Sequence, residues 1–71
     1  MLDDTIIVHP INETQRNWPL GTDVETKGGP RWVGKIVGYF STHFTLHGVV
    51  VESSAHSGAV QTFAVRDLEK I

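Results

Sequence analysis

Residues 32–41, WVGKIVGYFS, decide the fold of this chain. β-Branched and aromatic residues dominate this stretch, which is typical of a β-strand, and two glycines interrupt it. In an extended strand the side chains alternate between the two faces, so Ile36 lies on one face while Val37 and Tyr39 lie on the other. Both faces are therefore apolar and both need a cover. We expect a barrel core to cover one face and a neighbouring subunit to cover the other.

Four further segments carry the same signals between glycine-containing turns. The five predicted strands span residues 23–27, 32–41, 48–53, 60–64 and 68–71, and residues 65–68 allow one short helical turn. The rest of the chain shows no apolar period of a helix. Five short antiparallel strands predict an all-β fold that closes into a small barrel.

The segment before these strands has a different composition. Residues 1–20 contain Pro10 and Pro19 and no sustained apolar period, so they are predicted to form a flexible N-terminal tail. The folded domain then comprises residues 21–71. The apolar run in the tail is far shorter than a signal peptide or a membrane span, which predicts a soluble, cytoplasmic protein with no membrane partner.

Size and charge constrain the class of protein. The chain has 71 residues, no cysteine and a formal net charge of −2. A core this small is marginal, and without a disulfide or a thiolate zinc site the remaining way to stabilise it is self-association. We therefore expect a homo-oligomer. The absence of a Lys/Arg cluster in the sequence argues against a nucleic-acid partner.

Candidate sites for metal binding or catalysis are few. His43 and His47 are four residues apart, but no third ligand accompanies them, so no metal site is predicted. The sequence contains no motif for a catalytic nucleophile, a phosphate-binding loop or a dinucleotide fold. His56 lies in the turn of residues 53–58, where it is either a pH-sensitive contact or an ordinary exposed histidine.

A longer pattern of residues points to a known family. Residues 51–61 read VESSAHSGAVQ, and matching positions continue without a gap over residues 21–71, among them Lys27, Trp32 and Leu68. The pattern resembles the type II, trimethoprim-insensitive dihydrofolate reductases, while the segment before residue 21 does not visibly match. The resemblance implies an SH3-like barrel that assembles as a homotetramer, with one central pore that binds the substrate dihydrofolate and the cofactor NADPH.

The resemblance also implies roles for residues 60–63. Gln61 would pack against the nicotinamide and pterin rings, and Phe63 would contact the ligands. The backbone of Val60 and Thr62 would hold the nicotinamide carboxamide and the pterin edge. Because such enzymes use no side-chain acid, Gln61, Thr62 and Phe63 form the predicted catalytic site by positioning the two ligands.

Three other residues would hold the tetramer together by the same resemblance. Trp32 would pack at the interface within a dimer. Ser53 and His56 would meet across the interface between dimers. Protonation of His56 in mild acid would then loosen the tetramer.

Three positions depart from the family pattern at the pore. Thr62 replaces an isoleucine, Phe63 replaces a tyrosine, and the cofactor-binding position Thr26 stands where the family has a lysine that attracts anionic groups. Lys27 is expected on the opposite face of its strand, so Arg31 is the predicted substitute in cofactor binding. Two functions stay open: an NADPH-dependent dihydrofolate reductase, and a non-catalytic SH3-like oligomeric binding module.

Overall fold

The structure, a computed structural model, describes residues 8–71, with side chains from residue 13 onward. Its elements are the helix α1 (Val8–Asn17) and the strands β1 (Asp23–Thr26), β2 (Val33–Phe40), β3 (Gly48–Ser53), β4 (Val60–Ala64) and β5 (Leu68–Lys70). All strand pairs are antiparallel, in the order β4-β3-β2-β1-β5. This arrangement, with the last strand beside the first, confirms the predicted all-β, SH3-like barrel. The predicted helical turn is also confirmed, as a 3-10 turn over Val65–Asp67.

Helix α1 is a correction to the sequence prediction, which expected no helix before β1. It is held by tertiary contacts: Thr14 is only 2% exposed, and its hydroxyl forms a 3.0 Å hydrogen bond with Nδ1 of His47. Short helices depend on such packing more than on their own propensity, so local sequence signals missed it. No helix in the described part of the chain is long and apolar enough to cross a membrane. Residues 1–7 lie outside the described residues, and the flexibility of the tail stays a prediction.

The core of the described domain is small and lies between four of the strands. Its fully buried members are five aliphatic side chains, each 2% exposed or less: Val24, Ile36, Val49, Val51 and Leu68. They come from β1, β2, β3 and β5, and none comes from β4. Strand β4 is the most exposed strand of the sheet, which leaves its residues accessible to a ligand or a partner.

A β-bulge in β2 changes which side chains face this core. Ile36 pairs with Val51, but Tyr39 pairs with Val49, so Val37 is an extra residue without a partner across the ladder. Because Val49 and Val51 share one face of β3, Tyr39 and Ile36 lie on the same side of the sheet. The expectation that Tyr39 faces away from Ile36 was wrong, since strict alternation ends at the bulge.

Glycine at position 34 is required by the close approach of β2 to β3. A β-carbon on Gly34 would collide with the backbone carbonyl oxygen of Glu52. Neither atom belongs to a flexible side chain, so the collision could be relieved only by a backbone shift. Gly34 therefore sets the spacing of the two longest strands.

Candidate functional site

A groove of about 340 Å³ crosses the surface where β4 meets the turn between β1 and β2. It brings together two segments that are far apart in the sequence, residues 26–32 and residues 61–67. Its lining consists of Thr26, Lys27, Gly28, Pro30, Trp32, Gln61, Phe63, Arg66 and Asp67. The groove therefore contains four of the residues that the sequence predicted for the site or its interface: Thr26, Trp32, Gln61 and Phe63.

Aromatic rings and an exposed amide form the floor of the groove. Phe63 pairs with Val49 across β3 and β4, so its ring reaches the core face, where it lies 6.4 Å from the Trp32 ring between centroids. The indole Nε1 of Trp32 donates a 3.2 Å hydrogen bond to the carbonyl oxygen of Val51, which holds the ring in place. Gln61 is exposed beside them. Such a floor suits a flat heteroaromatic ring that also carries hydrogen-bonding groups.

The backbone of β4 adds hydrogen-bonding groups along one side of the groove. Ser53 N–H donates to the carbonyl of Ala59 at 2.8 Å, and Val65 N–H donates to the carbonyl of His47 at 3.0 Å. These two bonds show that the odd-numbered residues 59 and 65 direct their backbone groups toward β3. By strand alternation, the backbone groups of residues 60 and 62 point the other way, toward an edge that carries no further strand in the described residues.

Thr26 closes the turn that carries Trp32. Its hydroxyl donates to the carbonyl oxygen of Pro30 at 3.3 Å and accepts from the backbone N–H of Trp32 at 3.0 Å. Lys27 follows after the end of β1 and donates its backbone N–H to the carbonyl of Asp67 at 3.0 Å. Both residues line the groove. The Lys27–Asp67 bond continues the β1–β5 register by one residue, so the opposite orientation of the Lys27 side chain stays a prediction.

Arg31 has a partner of its own. Its Nη2 lies 2.9 Å from Oε1 of Glu25, its side chain is 75% exposed, and it is not part of the groove lining. The role of Arg31 in cofactor binding stays a prediction, and the ion pair counts against it.

The chain is similar to known proteins over most of its length. The R67 dihydrofolate reductase family matches residues 5–71 of the chain. A curated relative, dihydrofolate reductase type 2 of Escherichia coli, is 44% identical over 64 residues, which cover 90% of this chain and 78% of the relative. A second curated protein with that description, also from Escherichia coli, is 42% identical over 52 residues, covering 73% of this chain and 67% of the relative. The chain belongs to the R67 dihydrofolate reductase family.

The family match extends further toward the N-terminus than the sequence interpretation. That interpretation began the resemblance at residue 21, whereas the match begins at residue 5 and includes helix α1. Residues 5–20 are therefore part of the family pattern, although no clear local motif identifies them.

Two predicted interface residues of this R67 family member lie outside the groove: Ser53 ends β3, and His56 lies in the turn that follows. The hydroxyl of Ser53 accepts the backbone N–H groups of Ala55 at 3.1 Å and His56 at 3.2 Å. Gly58 completes the turn with a φ of +89°, a conformation that favours glycine. The His56 side chain is exposed. The roles of Trp32, Ser53 and His56 in an interface stay predictions.

Sequence reasoning missed the second wall of the groove. Arg66 and Asp67 belong to the 3-10 turn after β4, and this turn brings them opposite Lys27. The predicted helical turn at residues 65–68 was the only available signal. No three histidine, aspartate or glutamate side chains come together in the described part of the chain, so these residues offer no cluster for a metal ion.

Proposed function

We propose that this chain reduces dihydrofolate to tetrahydrofolate with NADPH, in a reaction that trimethoprim does not inhibit. The observation that carries the proposal is the groove, where the exposed amide of Gln61, the rings of Trp32 and Phe63 and the open edge of β4 lie together in a member of the R67 dihydrofolate reductase family. Both curated relatives described above are named as dihydrofolate reductases.

The residues of the groove suit planar rings that carry hydrogen-bonding groups. NADPH, when bound, supplies a hydride to the pterin, and solvent supplies the proton. Gln61 would pack against the rings, while the backbone of Val60 and Thr62 would bind the carboxamide and the pterin edge. Phe63 would contact the rings, and Thr26 keeps the opposite wall in place through its turn. The chain accelerates the reaction by holding donor and acceptor in near-attack geometry.

We further propose that the active form is a homotetramer with a shared central pore. A groove of about 340 Å³ is at the lower end of the range for one drug-sized ligand, whereas the reaction brings two ligands together. Val37 and Val60 are 45% and 54% exposed on a chain whose core holds few side chains, which supports burial against other copies. Trp32, Ser53 and His56 are the proposed interface residues, and the cytoplasm is the proposed location.

A spectrophotometric assay tests the proposed reaction. NADPH oxidation is measured with and without dihydrofolate, in the presence of trimethoprim, on protein whose mass in solution has been determined. We expect dihydrofolate-dependent turnover by a tetramer, and loss of turnover in Gln61→Ala. The other glutamine of the chain, Gln15, is exposed on α1 and provides the matched control Gln15→Ala, which should retain activity. A clean tetramer that neither oxidises nor binds NADPH would instead support the non-catalytic binding module.

A further inference from the structure

Two of the cationic side chains of this acidic chain line the groove. The chain has six lysine and arginine side chains against eight carboxylate side chains. Two of the cations, Arg31 and Lys35, are paired with carboxylates of β1 at 2.9 and 2.7 Å, and a third, Lys70, lies 5.0 Å from the centre of the Trp18 ring. Lys27 and Arg66 line the groove from its two walls. Against these two cations the lining holds one carboxylate, Asp67, so the groove is net positive although the whole chain is net negative.

Arg66 has the chemistry to bind a phosphate group directly. Its side chain is exposed, and it forms no ion pair within the described part of the chain, not even with the neighbouring Asp67. The planar guanidinium group binds phosphate through two parallel hydrogen bonds, which an ammonium group cannot reproduce. By contrast, the hydroxyl of Thr26 is already engaged in its own turn. Arg66 is thus the groove residue best suited to a phosphate.

The position of Arg66 along the groove also fits a dinucleotide. Strand β4 carries Gln61 near its start and ends at the 3-10 turn that contains Arg66. At about 3.3 Å per residue, Val65 lies roughly 13 Å from Gln61 along the strand, which leaves room for a ring, a sugar and the first phosphate. We propose that Arg66 binds the phosphate groups of the nicotinamide cofactor at the end of the groove. This inference rests on the proposed function, because it takes its ligand from that reaction.

Calorimetric titration of NADPH into the full-length chain at several salt concentrations tests the inference. We expect Arg66→Gln to raise the Kd for NADPH about tenfold and to reduce its dependence on salt, with a larger effect on KM than on kcat. Arg66→Lys keeps the charge and should preserve the salt dependence while recovering only part of the affinity. Arg16→Gln removes an exposed arginine from α1, outside the groove, and should leave the Kd unchanged.

The outcomes separate this inference from the proposed function. The inference fails if Arg66→Gln binds NADPH with the wild-type Kd. It also fails if Arg31→Gln raises the Kd and Arg66→Gln does not. Neither result depends on whether the protein reduces dihydrofolate. If the wild type binds NADPH through Arg66 but does not reduce dihydrofolate, the inference stands and the proposed reaction is wrong. If the wild-type chain binds no NADPH, both are wrong. Circular dichroism and solution mass establish that each variant is folded and assembled as the wild type is.

Discussion

Replacing Tyr39 by phenylalanine should measure how firmly the segment after α1 is attached to the barrel. The β-bulge turns Tyr39 toward the core face, where its hydroxyl donates a 2.6 Å hydrogen bond to the backbone carbonyl of Trp18. Tyr39→Phe keeps the ring but removes this neutral hydrogen bond. We expect the free energy of unfolding to fall by about 1 kcal/mol at pH 7. For a domain of this size, that loss corresponds to a decrease in Tm of about 4–8 °C.

The same residue predicts a pH dependence. Burial raises the pKa of Tyr39 above its ordinary value of 10.0. The unfolded chain therefore releases this proton at lower pH than the folded chain, so the contribution of Tyr39 to stability is complete below about pH 10 and is lost as pH rises through the raised pKa. The stability difference between the wild type and Tyr39→Phe should be constant up to that pH and should shrink above it.

Urea unfolding from pH 7 to above pH 10 measures this stability difference. The protein concentration is held constant, because self-association makes the apparent stability depend on it. Tyr39 is the only tyrosine of the chain, so tyrosinate absorbance reports its ionisation without interference. Equal stability of the two proteins at pH 7 would refute the argument for the hydrogen bond. If the wild type and Tyr39→Phe lose the same unfolding free energy above pH 10, a group other than Tyr39 causes the loss.

Three further substitutions test the site and its support. Gly34→Ala should lower the free energy of unfolding by about 1–3 kcal/mol or more, because the new methyl group meets the Glu52 carbonyl; urea unfolding with unchanged stability would contradict this. Thr26→Ala should destabilise the turn by about 1 kcal/mol and raise KM, whereas Thr26→Ser should behave as the wild type in unfolding and in steady-state kinetics. Trp32→Phe should cost about 0.5–1.5 kcal/mol through the lost indole bond to Val51, and a Tm equal to that of the wild type would show that this bond contributes nothing.

Much of the barrel was predictable because strand signals are local. Alternation, β-branched residues and intervening glycines located all five strands to within one residue at each end, and the 3-10 turn as well. The VESSAHSGAVQ pattern of residues 51–61 indicated the family for the same reason, since it needs only the order of residues along the chain.

The candidate site was only partly predictable, because a groove joins residues that are distant in sequence. The resemblance indicated Gln61 and Phe63 on β4 and Thr26 on β1, and the structure brings these three together. It gave no indication of Arg66, whose position depends on how the 3-10 turn folds back toward the end of β1. Lys27 also lines the groove, although the sequence excluded it from the site, because the turn after β1 and the 3-10 turn meet there.

The sequence by itself determined the five β-strands and the family, because strands and family are both recognised from short-range patterns of side chains. Only the tertiary structure decided which way Tyr39 points, since the bulge at Val37 arises from pairing β2 with β3. The docking of α1 through Thr14 and His47 was likewise decided by packing. These features depend on contacts between residues that are far apart along the chain. A local sequence pattern cannot predict the energies of such contacts.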